Sequence, residues 1–198
     1  GSASGFTEPD AVAGDLEAVR RAAALAAQFP GALVSMGSAT VMSPGDRTAK
    51  YDVAAEVYNR ALGVALAEGA GLAVHPSSHH DTLIFDEGDY AAIFDRLDPG
   101  VGWVPDTGHI LRGGMAVAEA FGRWSDRIRY VHLKDVNARG DWTMLGKGVV
   151  NIPEVARLAK SAPRWNGWLV AEEESDEAGR DPETAVATNR RMLEDALC

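Results

Sequence analysis

Four titratable side chains stand where short apolar runs end. His75 closes Leu72-Ala73-Val74, Asp106 follows the run Val101 to Val104, His132 lies near the end of Ile128 to Leu133, and Glu172 follows Trp168 to Ala171. The intervals between them are 31, 26 and 40 residues, close to the ~30 residues of one strand–helix–strand unit. In folds built from such units the C-terminal ends of the strands share one rim, where sites are assembled. Two imidazoles and two carboxylates brought together would suit a divalent ion of the manganese, cobalt, iron or zinc kind, in preference to magnesium or calcium, which take all-oxygen cages. Alternation along a strand puts His132 on the face of Tyr130, and the turn Thr107-Gly108-His109 is expected to aim His109 into the space that Asp106 faces. Lys134 follows His132 closely. His79, His80 and Asp81 form a polar stretch beyond His75, and Trp142 sits in an irregular segment from Asn137 to Val150, where it would wall a pocket. Taken singly, each of these has a plainer reading: a strand-end histidine is often only hydrogen-bonded, and Glu172-Glu173-Glu174 has the composition of a solvated acidic run.

The elements that must position these residues follow from apolar spacing. Leu16, Val19, Ala23 and Ala26 mark a helix between Pro9 and Phe29, and Val53, Val57, Ala61 and Val64 mark a second. Further helices are expected over Tyr90 to Leu97, over Met115 to Trp124, after Pro153, and from Pro182 to about Ala196, the last capped by Asp181. Between them lie five short apolar strands: Ala32 to Met36, Leu72 to His75, Val101 to Val104, Ile128 to Leu133, and Trp168 to Ala171. Alternating helices and continuously apolar strands predict an α/β fold with a parallel sheet. A closed (β/α) barrel of the TIM type takes eight strands and about 250 residues. Five strands in 198 residues therefore predict either an open sheet or a barrel lacking its N-terminal strands.

Composition narrows the function classes. Asp and Glu number 29 against 19 Lys and Arg, for a net charge of −10, which disfavours nucleic acid and anionic membranes as partners. The one cysteine, Cys198, leaves no intrachain disulfide, as in a reducing compartment. No apolar run approaches the ~20 residues of a membrane span, and no signal-like start is present, so a cytoplasmic location is expected. Residues 1–5 have the composition of a flexible lead, leaving one domain over residues 6–198. Gly146-Lys147-Gly148 lacks the rest of a phosphate-loop pattern. Trp103, Trp124, Trp165 and Trp168 are assigned to core and helix packing.

Four segments, in their order and spacing, resemble a known family: Trp103-Val104-Pro105-Asp106-Thr107-Gly108-His109, Arg127 to Asp135, Leu145 to Pro153, and Gly167 to Glu172. They are similar to the xylose isomerase-like superfamily of sugar phosphate isomerases and epimerases. Within it the likeness is nearest to inosose dehydratases, which carry a His-Pro pair like His75-Pro76. The resemblance runs from about Leu33 to the C-terminus and implies a TIM barrel with a divalent metal on its rim. Asp106, His132 and Glu172 match three ligand positions, His75 stands where the family commonly has a glutamate, and His109 matches a residue that touches substrate. The implied chemistry is proton abstraction beside a carbonyl of a keto-sugar or keto-cyclitol. Glu172 would be the base, His109 would deliver the proton, and His79, Lys134 and Trp142 would contact the small polyol substrate. An inosose dehydratase-like loss of water is the alternative reaction, and a non-catalytic truncated barrel acting as a partner subunit is the alternative role. Five strands leave two open edges, so a homo-oligomer or a partner subunit is expected.

Overall fold

A computed structural model describes residues 4–79 and 81–197; His80 and Cys198 lie outside them. The described chain gathers into two compact units, one up to Val104 and one from Pro105 onward.

The first unit is a three-stranded parallel sheet with its helices. A 3-10 turn at Pro9–Ala11 leads into α1 (Val12–Ala26), then β1 (Leu33–Gly37), α2 (Arg47–Ala67), β2 (Gly71–His75), α3 (Glu87–Phe94) and β3 (Gly102–Trp103). The sheet order is β1-β2-β3, with Met36 opposite Val74 and Val74 opposite Trp103. Leu72, Ala73 and Val74 are fully enclosed, as continuous burial of a parallel strand requires. The helix starts are written in aspartates. Asp46 accepts from the amides of Thr48 and Ala49 at the head of α2. Asp86 and Asp89 form a reciprocal capping box at the head of α3. That box is why α3 begins at Glu87 rather than at the expected Tyr90, and Asp98-Pro99-Gly100 follows its end. Packing also starts earlier than composition suggests, because the Ser4 hydroxyl donates to Asp15 and the Gly5 carbonyl accepts from Thr40. Gly5 has φ +57°, and a Cβ there would run into Thr40, so glycine is required at this turn.

The second unit holds the remaining elements: α4 (Thr107–Arg112), α5 (Val117–Trp124), a 3-10 turn at Ser125–Arg127, β4 (Val131–Leu133), β5 (Asp135–Val136), β6 (Trp142–Thr143), α6 (Ile152–Ser161), β7 (Leu169–Ala171), α7 (Asp176–Arg180) and α8 (Pro182–Leu197). β4 pairs with β7 in parallel, His132 opposite Val170, and Asp106 forms a parallel bridge to His132. Val131, Leu133, Ile110, Phe121 and Ile128 fill the interior. Asp181 caps α8 as expected, its carboxylate accepting from Thr184.

Four expectations are corrected here. Thr107-Gly108-His109 is not an isolated turn but the first turn of α4, because the Asp106 carboxylate accepts from the His109 amide and starts a helix. The segment from Asn137 to Val150 is not irregular throughout. It carries β6, which pairs antiparallel with β5 just before it, Val136 opposite Trp142, so the described strands number seven rather than five. α7 is an additional short helix capped by Ser175. Trp168 is not a core residue: it is 67% exposed, whereas Trp103 and Trp124 are buried.

Candidate metal and substrate site

In the second unit the sequence Asp106-Thr107-Gly108-His109 works as a cradle for one side chain, Lys134. The Thr107 hydroxyl, fully buried, donates to the Lys134 carbonyl at 2.7 Å and accepts the Lys134 amide at 3.0 Å. At Gly108 a Cβ would come within 3.0 Å of Lys134 Cγ and 2.7 Å of Trp142 Cζ3, so only glycine lets both lie against the start of α4. His109, also buried, presents Nε2 at 3.3 Å from Lys134 Nζ. A long side chain is thereby led inward until it is 1% exposed. Its ammonium donates to Glu172 Oε1 at 2.6 Å and Glu174 Oε1 at 2.9 Å, with Asp106 Oδ2 3.6 Å away.

Around this ammonium stand three of the expected ligands. One donor atom from each of Asp106, His132 and Glu172 lies within 4.8 Å of the others. The bridge between Asp106 and His132 and the β4–β7 register set them side by side. Glu172 Oε2 is in contact with His132 Nδ1, and Tyr130 packs its ring 5.3 Å from the His132 ring, as strand alternation requires. Burial alone would raise the Glu172 carboxyl, but hydrogen bonds from His132 and Lys134 and the Lys134 charge outweigh it, holding the group well below the usual carboxylate range. Lys134 is pulled down by burial and pushed up more strongly by Asp106, Glu172 and Glu174, so it stays an ammonium. The donor set fits a divalent ion: one imidazole and two carboxylates, of the kinds that bind manganese, cobalt, iron or zinc.

The acidic run after β7 is not a solvated face. Glu172 and Glu174 meet Lys134, while Glu173 accepts from the Leu145 amide, the Ser175 hydroxyl and the Asn189 side chain. Trp142 borders a polar cavity of about 520 Å³ that Arg112, Asn137, Arg139 and Glu174 also line. Its ring stands edge-on to His109 at 5.1 Å, with the Arg112 guanidinium 4.5 Å from its centroid. Two residues hold this wall: Arg112, which the sequence reading did not single out, and Asp135, which it placed at the strand end beyond His132. Arg112 supports the ring, and Asp135, buried behind it, gathers the amides of Val136, Gly146, Gly148 and Val150 at 2.9–3.0 Å. In the first unit His75 ends β2, half-buried, and His79 is exposed in the segment beyond it.

Comparison with known proteins places the chain in a family. The profile described as xylose isomerase-like TIM barrel matches residues 2–196. The inosose dehydratase of Geobacillus kaustophilus (strain HTA426) is 30% identical over 156 residues, covering 69% of this chain and 49% of that protein. This chain therefore spans about half the length of the curated relatives it matches. Among solved structures, the IolI protein with a bound zinc atom superposes with a TM-score of 0.78 at 15% identity, covering 97% of this chain and 73% of that one. D-allulose 3-epimerase from Methylomonas sp. does so with a TM-score of 0.75 at 18% identity, covering 99% and 75%. Among the described residues no helix is long and apolar enough to cross a membrane.

Proposed function

Because the chain belongs to the xylose isomerase-like TIM-barrel family, we propose that it is part of an enzyme that binds one divalent ion and removes a carbon-bound proton beside the carbonyl of a keto-sugar or keto-cyclitol. The observation that carries this reading is a convergence of donor atoms: one each from Asp106, His132 and Glu172 lies within 4.8 Å of the others, beside the buried Lys134 ammonium that Glu172 and Glu174 also meet. Asp106, His132 and Glu172 would hold the ion, with His75 added as a fourth donor on its strand-end position in the sequence. The ion would polarise the carbonyl oxygen.

The chain's own residues supply the rest. Glu172 is ionised, the form a base needs, and its depressed pKa restricts it to a proton already made acidic by a polarised carbonyl. His109 would return the proton, Trp142 would wall the substrate, and His79 would contact it. Metal analysis tests the reading. The purified protein should hold about one equivalent of manganese, cobalt, iron or zinc, and Asp106→Ala should reduce it to near zero, because losing one of a few ligands removes most of the affinity. A folded Asp106→Ala protein with full metal content refutes the assignment.

The 30% identity to an inosose dehydratase favours a second outcome for the same proton abstraction, expulsion of a hydroxyl as water. A keto-cyclitol that loses water, followed by mass, separates this from an epimerase, which exchanges solvent deuterium without losing mass. We also propose self-association, or assembly with a partner subunit. Among the described residues β1 pairs only with β2 and β7 only with β4. A monodisperse monomer in light scattering refutes it.

A further inference from the structure

Lys134 does more than balance charge. An ammonium has three hydrogens, and three acceptors lie within reach: Glu172 Oε1 at 2.6 Å, Glu174 Oε1 at 2.9 Å and His109 Nε2 at 3.3 Å. The side chain is 1% exposed, so it acts on its neighbours rather than on a substrate. Its shortest contact takes one oxygen of Glu172 and leaves the other, Oε2, on the side of His132. Asp106 is divided in the same way. Its Oδ1 is committed to the His109 amide at 2.9 Å, capping α4, and its Oδ2 faces the cluster. Each candidate carboxylate ligand therefore presents a single oxygen.

We infer that Lys134 is a positioning residue that makes Glu172 a one-oxygen ligand, and that the site thereby discriminates against ions needing many oxygens. This rests on the metal reading above. Calcium takes six to eight oxygen ligands and commonly chelates a carboxylate through both oxygens, whereas cobalt and zinc are content with few donors including an imidazole. Removing the ammonium releases Glu172 Oε1 from its contact, which adds an oxygen for calcium while changing little that cobalt requires.

The test is a ratio of affinities, cobalt(II) over calcium(II), measured by competition with a chromophoric chelator. The unsubstituted protein is expected to favour cobalt strongly. In Lys134→Met the ratio should move toward calcium by about tenfold or more, the lower end of what outer-shell partners of a ligand contribute. Glu174→Gln keeps the Lys134–Glu172 contact and should leave the ratio where it was. A change of charge alone shifts two divalent ions alike, and so does a general loosening of the fold, so neither moves the ratio. The cobalt absorption band of Lys134→Met should also differ from that of the parent, reporting a changed coordination. Should Lys134→Met not fold, Lys134→Gln, which keeps a polar group in the slot, is expected to shift the ratio in the same direction. An unchanged ratio in a folded, ion-binding variant overturns the inference alone, as does a parent that binds calcium as tightly as cobalt. Absence of any bound ion in the parent overturns the metal reading and the inference with it.

Discussion

Each unit holds a cluster of one cation with carboxylate, the Arg47 guanidinium exposed in the first and the Lys134 ammonium enclosed in the second, and the two are built to opposite ends. In the first unit Asp89 accepts from Arg47, from the Tyr51 hydroxyl and from the amides of Phe85 and Asp86. One carboxylate meets one guanidinium, the lone pairs are taken up by the chain itself, and the capping box of α3 is part of the network. In the second unit the lysine faces three carboxylates, and oxygens of Asp106 and Glu172 converge with an imidazole. The lesson is that buried charge by itself says little about function. Arrangement says more: a carboxylate taken up by a guanidinium, a hydroxyl and amides serves the fold, whereas donor atoms of several residues that converge are where a ligand is proposed.

The sharpest break in this comparison is Glu172→Gln. It keeps the volume and removes the charge, so turnover of a responsive keto-sugar or keto-cyclitol should fall by roughly 10² to 10⁴, with metal content measured alongside. The matching change in the first cluster, Asp89→Ala, should cost about 1–3 kcal/mol of stability by leaving buried donors unpaired, read as a lower urea midpoint, while metal affinity stays unchanged. A loss of metal on Asp89→Ala would dissolve the distinction. Gly108→Ala sharpens it from the other side. Its methyl would meet Lys134 and Trp142, for an overpacking cost of about 1–3 kcal/mol. Here, unlike at Asp89, metal affinity should drop together with the thermal midpoint.

The smallest effect is on pH dependence. Burial would raise the Asp89 carboxyl, but Tyr51, Arg47 and two amides lower it below the ordinary value. A depressed folded-state pKa contributes stability that is full above the unfolded value, about 4, and is lost as pH falls through the folded one. The urea midpoint should therefore decline below about pH 4, and Asp89→Asn should flatten part of that decline. An Asn variant with the parent's full acid slope contradicts the assignment.

Much of this was legible in the residues before any coordinates. The five apolar strands and the polar residues at their ends were readable because parallel strands are buried on both faces, so a His or Asp at such an end stands out. Asp106, His132 and Glu172 do converge. What was not legible had weak local signals. α4 is six residues long and carries a glycine at its second position, too short and too broken for a helical stripe. The β5–β6 strands are two residues each, below any detectable alternation. Lys134 reads as a rim contact because lysine is so seldom enclosed. Its burial depends on Thr107, Gly108 and His109 acting from 25 to 27 residues away, a tertiary effect that no local pattern contains. Glu173 was hidden inside an acidic run for the same reason.

Asp135 has a consequence in time. The amides it collects lie 1 to 15 residues away along the chain, whereas Lys134 must find Glu172 across 38. Closing a short loop is entropically cheaper than closing a long one, and contacts near in sequence tend to form sooner. The segment that carries Trp142 can thus take its shape around a single carboxylate while the lysine and its distant glutamate are still apart. In assembly the wall precedes the floor, and pulse-labelled hydrogen exchange should find the Gly146, Gly148 and Val150 amides protected before those of β7.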